Sequence, residues 1–294
     1  MSGPPQRGAT GAGFVDVAPE SFLVHRRMRY LKVMVALLVL TIVAYVAYEP
    51  EGGHNGGTWL GYTLGTIGAL LILWLTWFGI RKRRYNPGHW NLKGWLSAHV
   101  YLGLSLIVIA TLHAGFQVGV NIHTLAYLLM LAVILSGVWG VVNYARLPAM
   151  MTRNRQSQTL NTMALEMLEL DRQAAEHAVP LGDAFADEVR RSRTETQIGG
   201  SFFRQLSGRD PRCGTTRALA NVRGLAEQVT DDRRDRAGAL MVALQRKQEL
   251  LNRARKDIRY KALMDLWLYV HVPLTFALLA ALTAHVISVF YYWG

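Results

Sequence analysis

The sequence predicts an all-α membrane protein, with five transmembrane helices forming a bundle and a helical insert between the fourth and the fifth. Three observations carry this. Half of the 294 residues are hydrophobic (51%), and they gather into five apolar runs at 31–48, 59–80, 95–116, 123–145 and 264–290. Runs of this kind approach or exceed the ~20 residues a helix needs to cross the hydrocarbon core. All 32 Lys and Arg fall before residue 33, within 81–93 or within 146–261, while 49–58, 117–122 and 291–294 carry none. With five spans, every basic residue then lies on one side, which the positive-inside rule makes the cytoplasm. Finally, the polar segment 147–261 has apolar residues at helical spacing and no run of alternating strands.

Taken in order, residues 1–30 form a cytoplasmic tail, Gly- and Pro-containing and without periodicity over 1–24. "HRRMRYLK" (25–32) marks the edge of the first span, read as an uncleaved anchor because the apolar run is long and no small-x-small site follows it. The outer turn "EPEGGHNGGT" (49–58) is glycine-rich. In the second span Gly61, Gly65 and Gly68 share one helical face, a spacing that lets another helix or a planar group approach closely. "RKRRYNPGHWNLKGW" (81–95) is a cytoplasmic turn, broken by Pro87-Gly88 and anchored at the interface by Trp90 and Trp95.

Residues 31–146 thus hold the first four spans, 147–261 the insert and 262–294 the fifth span. Within the insert, 160–178 reads as a helix and 180–235 as loop-rich. Residues 236–265 lack a breaker and run as one helix towards the fifth span.

The net charge of +12 is accounted for by topology and attraction to anionic lipid, and no interleaving of aromatic and basic residues suggests nucleic-acid binding. Cys213 is the single cysteine, which excludes a disulfide framework, a thiolate-held iron–sulfur cluster and a CxxCH haem attachment. It reads as an incidental loop residue. No Gly-rich nucleotide fingerprint is present.

Histidine is the informative residue. Of nine, His99 and His113 bracket the third span and His271 and His285 lie in the fifth, each pair fourteen residues apart. Fourteen residues are nearly four turns, so each pair shares a helix face with ~21 Å between its members. Both spans run from cytoplasm to outside. His99 and His271 therefore fall near one depth on the cytoplasmic side, and His113 and His285 near one depth on the outer side. Intramembrane ionisable groups are costly without a partner. A haem iron accepts one imidazole from each face, so two haems satisfy all four. Gly103, one turn from His99 on the same face, suits the approach of a ring edge.

"WLSAHVYLGLSLIVIATLHAGF", "LSGVWGVVNYARLP" and "LWLYVHVPLTFALLAALTAHVISVFYYW" together resemble the membrane core of di-haem b-type cytochromes, both the cytochrome b proteins of respiratory complexes and the ferric-reductase-type transmembrane domains. The resemblance covers 59–146 and 262–293 and rests on the two H-x13-H pairs. It implies a haem-binding helical bundle with two non-covalent haems b, and electron transfer across the membrane. The chain differs from ferric reductases in having no flavin or nicotinamide domain after the last span. From the large respiratory cytochromes it differs in having fewer spans and the long insert.

Propionates on the cytoplasmic side have candidate partners in Arg84, Lys93 and Arg146. On the outer side, without Lys or Arg, Asn55, Asn121, aromatic donors, water or a partner protein must serve. His123 opens the fourth span at the outer edge. It is read as an interfacial structural residue ahead of a hydrogen-bond donor to a ligand, a quinone contact or a substitute ligand. His25 reads as interfacial, and His54, His89 and His177 as solvated.

The expected function is that of a di-haem cytochrome b subunit in a bacterial inner membrane, N-terminus cytoplasmic and C-terminus outside. It passes electrons between a quinone or redox partner and an acceptor on the other side. Iron–sulfur proteins and c-type cytochromes are the expected protein partners. The alternatives are a stand-alone quinol or ferric-chelate oxidoreductase and a non-redox membrane scaffold.

Overall fold

The computed structural model describes residues 22–83, 92–156 and 158–292. Among them every regular element is helical: α1 (His25–Ala47), α2 (Trp59–Arg83), α3 (Leu92–His113), α4 (Ile122–Arg155), α5 (Leu160–Ala178), α6 (Asp183–Thr194), α7 (Phe202–Ser207), α8 (Gly214–Ala226) and α9 (Asp231–Tyr292). Five of these, α1 to α4 and α9, are long and apolar enough to cross a membrane. The chain is an integral membrane protein. Arg84 and the breaker Pro87-Gly88 lie outside the described residues, as does His89.

The helices form two compact units. One runs up to Leu131 and takes in the residues from Ala281 onward; the other is Ala132–Ala280. In the first, α3 packs against both α1 and α2. Leu60 and Leu64 of α2 meet Ile109 and Leu112 of α3, with Leu37, Ala44 and Tyr45 of α1 closing over them. Trp95, expected as an interface anchor, stacks on Trp74 with ring centres 4.9 Å apart. Val39, Leu40, Val43 and Val46 of α1 and Leu70 and Leu73 of α2 point away from the core. In water such a surface is a liability; in lipid it is the solvated face.

The second unit contains the insert. α5 opens with a capping box in which Thr159 and Thr162 satisfy each other's backbone N–H groups. Its apolar face, Met163, Met167 and Ala174, packs on Leu240, Leu244, Leu250 and Leu251 of α9 in two adjoining clusters, with Phe185, Val189 and Val222 completing one of them. Cys213 lies on the turn before α8, as expected of a loop residue, but is fully buried in the other cluster. The segment 180–235 is not loop-rich, because it holds α6, α7 and α8. Its glycines are punctuation between short helices: Gly182 (φ 108°) precedes α6 and Gly208 (φ 64°) ends α7 in left-handed geometry.

α4 runs ten residues beyond the expected end at 145, through Pro148. Asn154 donates to Asp257 (2.9 Å) and Arg155 pairs with the same carboxylate. Asp257 is buried on α9, and these bonds anchor the extension.

A second buried charge organises the insert. Lys247 Nζ lies 2.5 Å from the Asp171 carboxylate and 3.1 Å from both the carbonyl and the hydroxyl of Ser192, with side-chain exposures of 4% and 11% for the ion pair. Removing one partner strands the other in a dry core. Asp171→Ala therefore lowers stability by about 3–5 kcal/mol, and adding Lys247→Met recovers most of the loss. Denaturant titration of the detergent-purified protein by circular dichroism checks both.

Candidate functional site

Two of the four histidines meet. His113 ends α3 and His285 lies near the end of α9, both in the first unit, and their ring centres are 6.1 Å apart with planes at 84°. The position of His113 is set by α2. A Gly61 carbonyl accepts from His113 Nδ1 at 2.7 Å. A carbonyl cannot donate, so this bond places the proton on Nδ1 and leaves the Nε2 lone pair bare.

The glycine stripe on α2 makes this possible. A Cβ at Gly65 falls 2.7 Å from Cε1 and 2.9 Å from Nδ1 of the imidazole, so only glycine leaves room for the ring. Gly56, in the turn between α1 and α2, lies over it too, its added Cβ 3.5 Å from Cε1 and 3.8 Å from Nε2. The turn itself is held by Asn55, whose side chain accepts from Gly57 N–H at 2.9 Å and donates to the Gly53 carbonyl. His54, expected to be solvated, stacks on Tyr45 with ring centres 3.9 Å apart.

His123, expected as a structural interfacial residue, touches His285. Their Nδ1 atoms are 2.5 Å apart, so one donates to the other and both rings keep Nε2 free of this bond. Tyr127, one turn along α4, hydrogen-bonds Thr111 of α3 at 2.9 Å. Thr111 already donates to the Ile107 carbonyl, so the tyrosine is the donor. Asn121 caps α4 by accepting from Thr124 N–H at 2.9 Å. Asn55 and Asn121 therefore both have structural work within the chain.

His271 lies in the second unit and has its own support. Ser136 Oγ donates to the Val133 carbonyl at 2.7 Å, so its contact with His271 Nδ1 at 2.8 Å has the imidazole as donor. Here again Nε2 is the bare nitrogen. Gly137 seats the ring, its added Cβ 3.4 Å from Cε1, and Gly140 seats Trp267, whose indole a Cβ there overlaps. Trp267 in turn stacks on His271 at 5.4 Å.

His99 is partly buried on α3 in the first unit. Near it, the α3 face is open at Gly103, where an added Cβ reaches only Leu75 Cδ1, at 3.9 Å. Arg146 is exposed on α4 and Lys93 exposed at the start of α3. His25 is buried, with its Nε2 3.1 Å from a Cβ at Gly94, where an interfacial residue was expected.

Among the described residues no three His, Cys, Asp or Glu side chains form a group able to hold a bare metal ion. A haem iron needs only two protein ligands, since the porphyrin supplies the rest. Two imidazoles bonded at about 2 Å to one ion between them have ring centres separated by a distance of the order seen for His113 and His285. Partner bonds to Nδ1 that fix tautomer and ring orientation are the support ligand histidines require. His113 and His285 fit the group. No protein-family model, curated protein or solved structure matches the chain.

Proposed function

We propose that the chain is a di-haem b-type membrane cytochrome that carries electrons across the membrane between a quinone or redox protein on one side and an acceptor on the other. The observation that supports it best is the His113–His285 pair, 6.1 Å apart with both Nδ1 atoms engaged. His113 and His285 would hold the outer haem. The assignment of His99 and His271 to the cytoplasmic haem rests on the identical fourteen-residue spacing. A haem b held in this way supplies a one-electron couple. The chain's own residues fix the tautomers, line the ring faces with glycine and exclude water with apolar helices.

With no nucleotide fingerprint in the sequence, an electron-transfer subunit suits the chain better than a complete oxidoreductase. Quinone, an iron–sulfur protein or a c-type cytochrome complete the path. Arg146 and Arg84 remain candidates for the cytoplasmic propionates. A bacterial inner membrane, with the N-terminus and the insert in the cytoplasm, is the setting the Lys and Arg distribution favours.

Purified protein is expected to contain two haems b, extractable by acid acetone because no CxxCH tethers them, and to give a reduced-minus-oxidised difference spectrum with an α-band. A colourless, fully folded protein overturns the reading and leaves the membrane scaffold. For the topology, an impermeant thiol reagent should label Glu51→Cys in intact cells and Glu227→Cys only after lysis. Both positions are exposed, and Cys213 is buried. The reverse pattern inverts the orientation.

A further inference from the structure

α7 is a six-residue helix of the insert, and it is placed where the fifth span begins. From Leu266 to Tyr292 α9 carries no Asp, Glu, Lys or Arg, so this is its membrane segment. Tyr269 stands in the first turn of that segment, 69% exposed, and Phe202 of α7 meets it edge-on with ring centres 6.0 Å apart. The other end of α7 lies further back along α9, where a Cβ at Gly208 falls 3.1 Å from Arg259 Cδ. Arg255 ties both flanks of α7 to α9, donating to Asp210 after it (2.9 Å) and to the Gln197 carbonyl before it (2.7 Å). The N-terminal end of α7 is therefore held at the depth of Tyr269, and there Phe203 stands 82% exposed.

Around this aromatic tip Arg204, Arg209, Arg212, Arg259 and Lys261 are all exposed. The carboxylates nearby are Asp210, committed to Arg255, Asp257, committed to Arg155, and Asp265, half-buried one turn before Tyr269 on α9. Five exposed cations outnumber them, and the charge presented beside the tip is positive. An aromatic wedge with a basic collar, set at the level where a helix enters the bilayer, matches one surface: aromatic rings belong at the acyl–headgroup boundary and arginines among anionic headgroups. We infer that residues 199–212 form a membrane-docking element, in which Phe203 inserts beside the fifth span and the surrounding arginines bind anionic phospholipid headgroups. The partner is the lipid surface, and α7 anchors the insert to it.

The test uses the full chain reconstituted into vesicles of phosphatidylcholine alone or with about one-third phosphatidylglycerol. An environment-sensitive fluorophore is placed on Ser201→Cys, which is exposed beside the wedge, while the buried Cys213 stays unlabelled. Lipid carrying a shallow spin-label quencher should quench this probe, more strongly with phosphatidylglycerol present. Phe203→Asp should abolish the quenching, and Arg204→Gln with Arg259→Gln should remove its dependence on phosphatidylglycerol. All three positions are exposed, so an unchanged thermal transition shows the variants folded. Quenching no greater than that of a probe at Glu227→Cys, or equal in both lipids, overturns the inference; so does a surface that binds only a soluble protein.

Discussion

Protein carrying His113→Ala or His285→Ala is expected to hold one haem b where the proposed function gives the unaltered chain two, with the remaining one spectrally unchanged. The size of the effect follows from the chemistry of the site. In the proposed site each imidazole would be one of two protein ligands to the haem iron, and a methyl group cannot replace it. The two substitutions should therefore give the same product, although they lie on helices far apart in sequence. His99→Ala and His271→Ala should each remove the other haem, leaving a complementary spectrum. His123→Ala should retain both haems, because His123 meets His285 through Nδ1 and supports the ligand without replacing it. Haem content by pyridine haemochrome and low-spin signals by electron paramagnetic resonance distinguish these outcomes. If His113→Ala kept both haems with unchanged low-spin spectra, the ligand assignment would fall, and His123, already against His285, would take the place of His113.

The five spans were legible because lipid imposes a coarse requirement: a long run of apolar side chains bounded by charge. Where other forces decide, the sequence is less transparent. The apolar run of the fourth span ends at 145, and Pro148 soon follows, a residue that removes a helical hydrogen bond and crowds the preceding turn. The helix continues because Asn154 and Arg155 find Asp257, about a hundred residues on, a partner with no local signature. In 180–235 the glycines and Asp210-Pro211 suggested loops, but they are punctuation between the short amphipathic helices of the insert.

The histidine spacing was readable, and the structure brings His113 and His285 together as expected. The partners that orient the rings were not readable. A backbone carbonyl at Gly61 accepting from Nδ1 cannot be seen in a string of residue types. His123 was assigned a structural role because nothing in its spacing points to His285; the contact depends on where α4 begins after the turn at 115–121. Likewise the Gly61/Gly65/Gly68 stripe announced a close approach without saying whether a helix, a haem or a single side chain would fill it. Part of the answer is a side chain, His113.

That stripe yields a contrast between neighbouring glycines. Gly65→Ala is expected to lose the outer haem, whereas Gly68→Ala is expected to keep both. At Gly65 the new methyl falls 2.7 Å from His113 Cε1, closer than real Cβ atoms approach, and the ring cannot retreat without breaking its bond to the Gly61 carbonyl. The overpacking costs about 1–3 kcal/mol, and the imidazole that moves to relieve it no longer presents Nε2 where it did. At Gly68 the new methyl meets Ile109 Cγ2 at 3.8 Å and Leu106 Cδ2 at 3.9 Å, ordinary van der Waals contacts. There the gain in helix propensity, up to about 1 kcal/mol, outweighs any strain. Both substitutions add one methyl to the same face of the same helix, so their effects on helix stability should be similar and only their effects on His113 should differ. Haem content per chain reads that difference directly, with the thermal transition showing that each variant is folded. Equal haem content in the two variants would mean that His113 is not held by α2 in the way its ligand role requires.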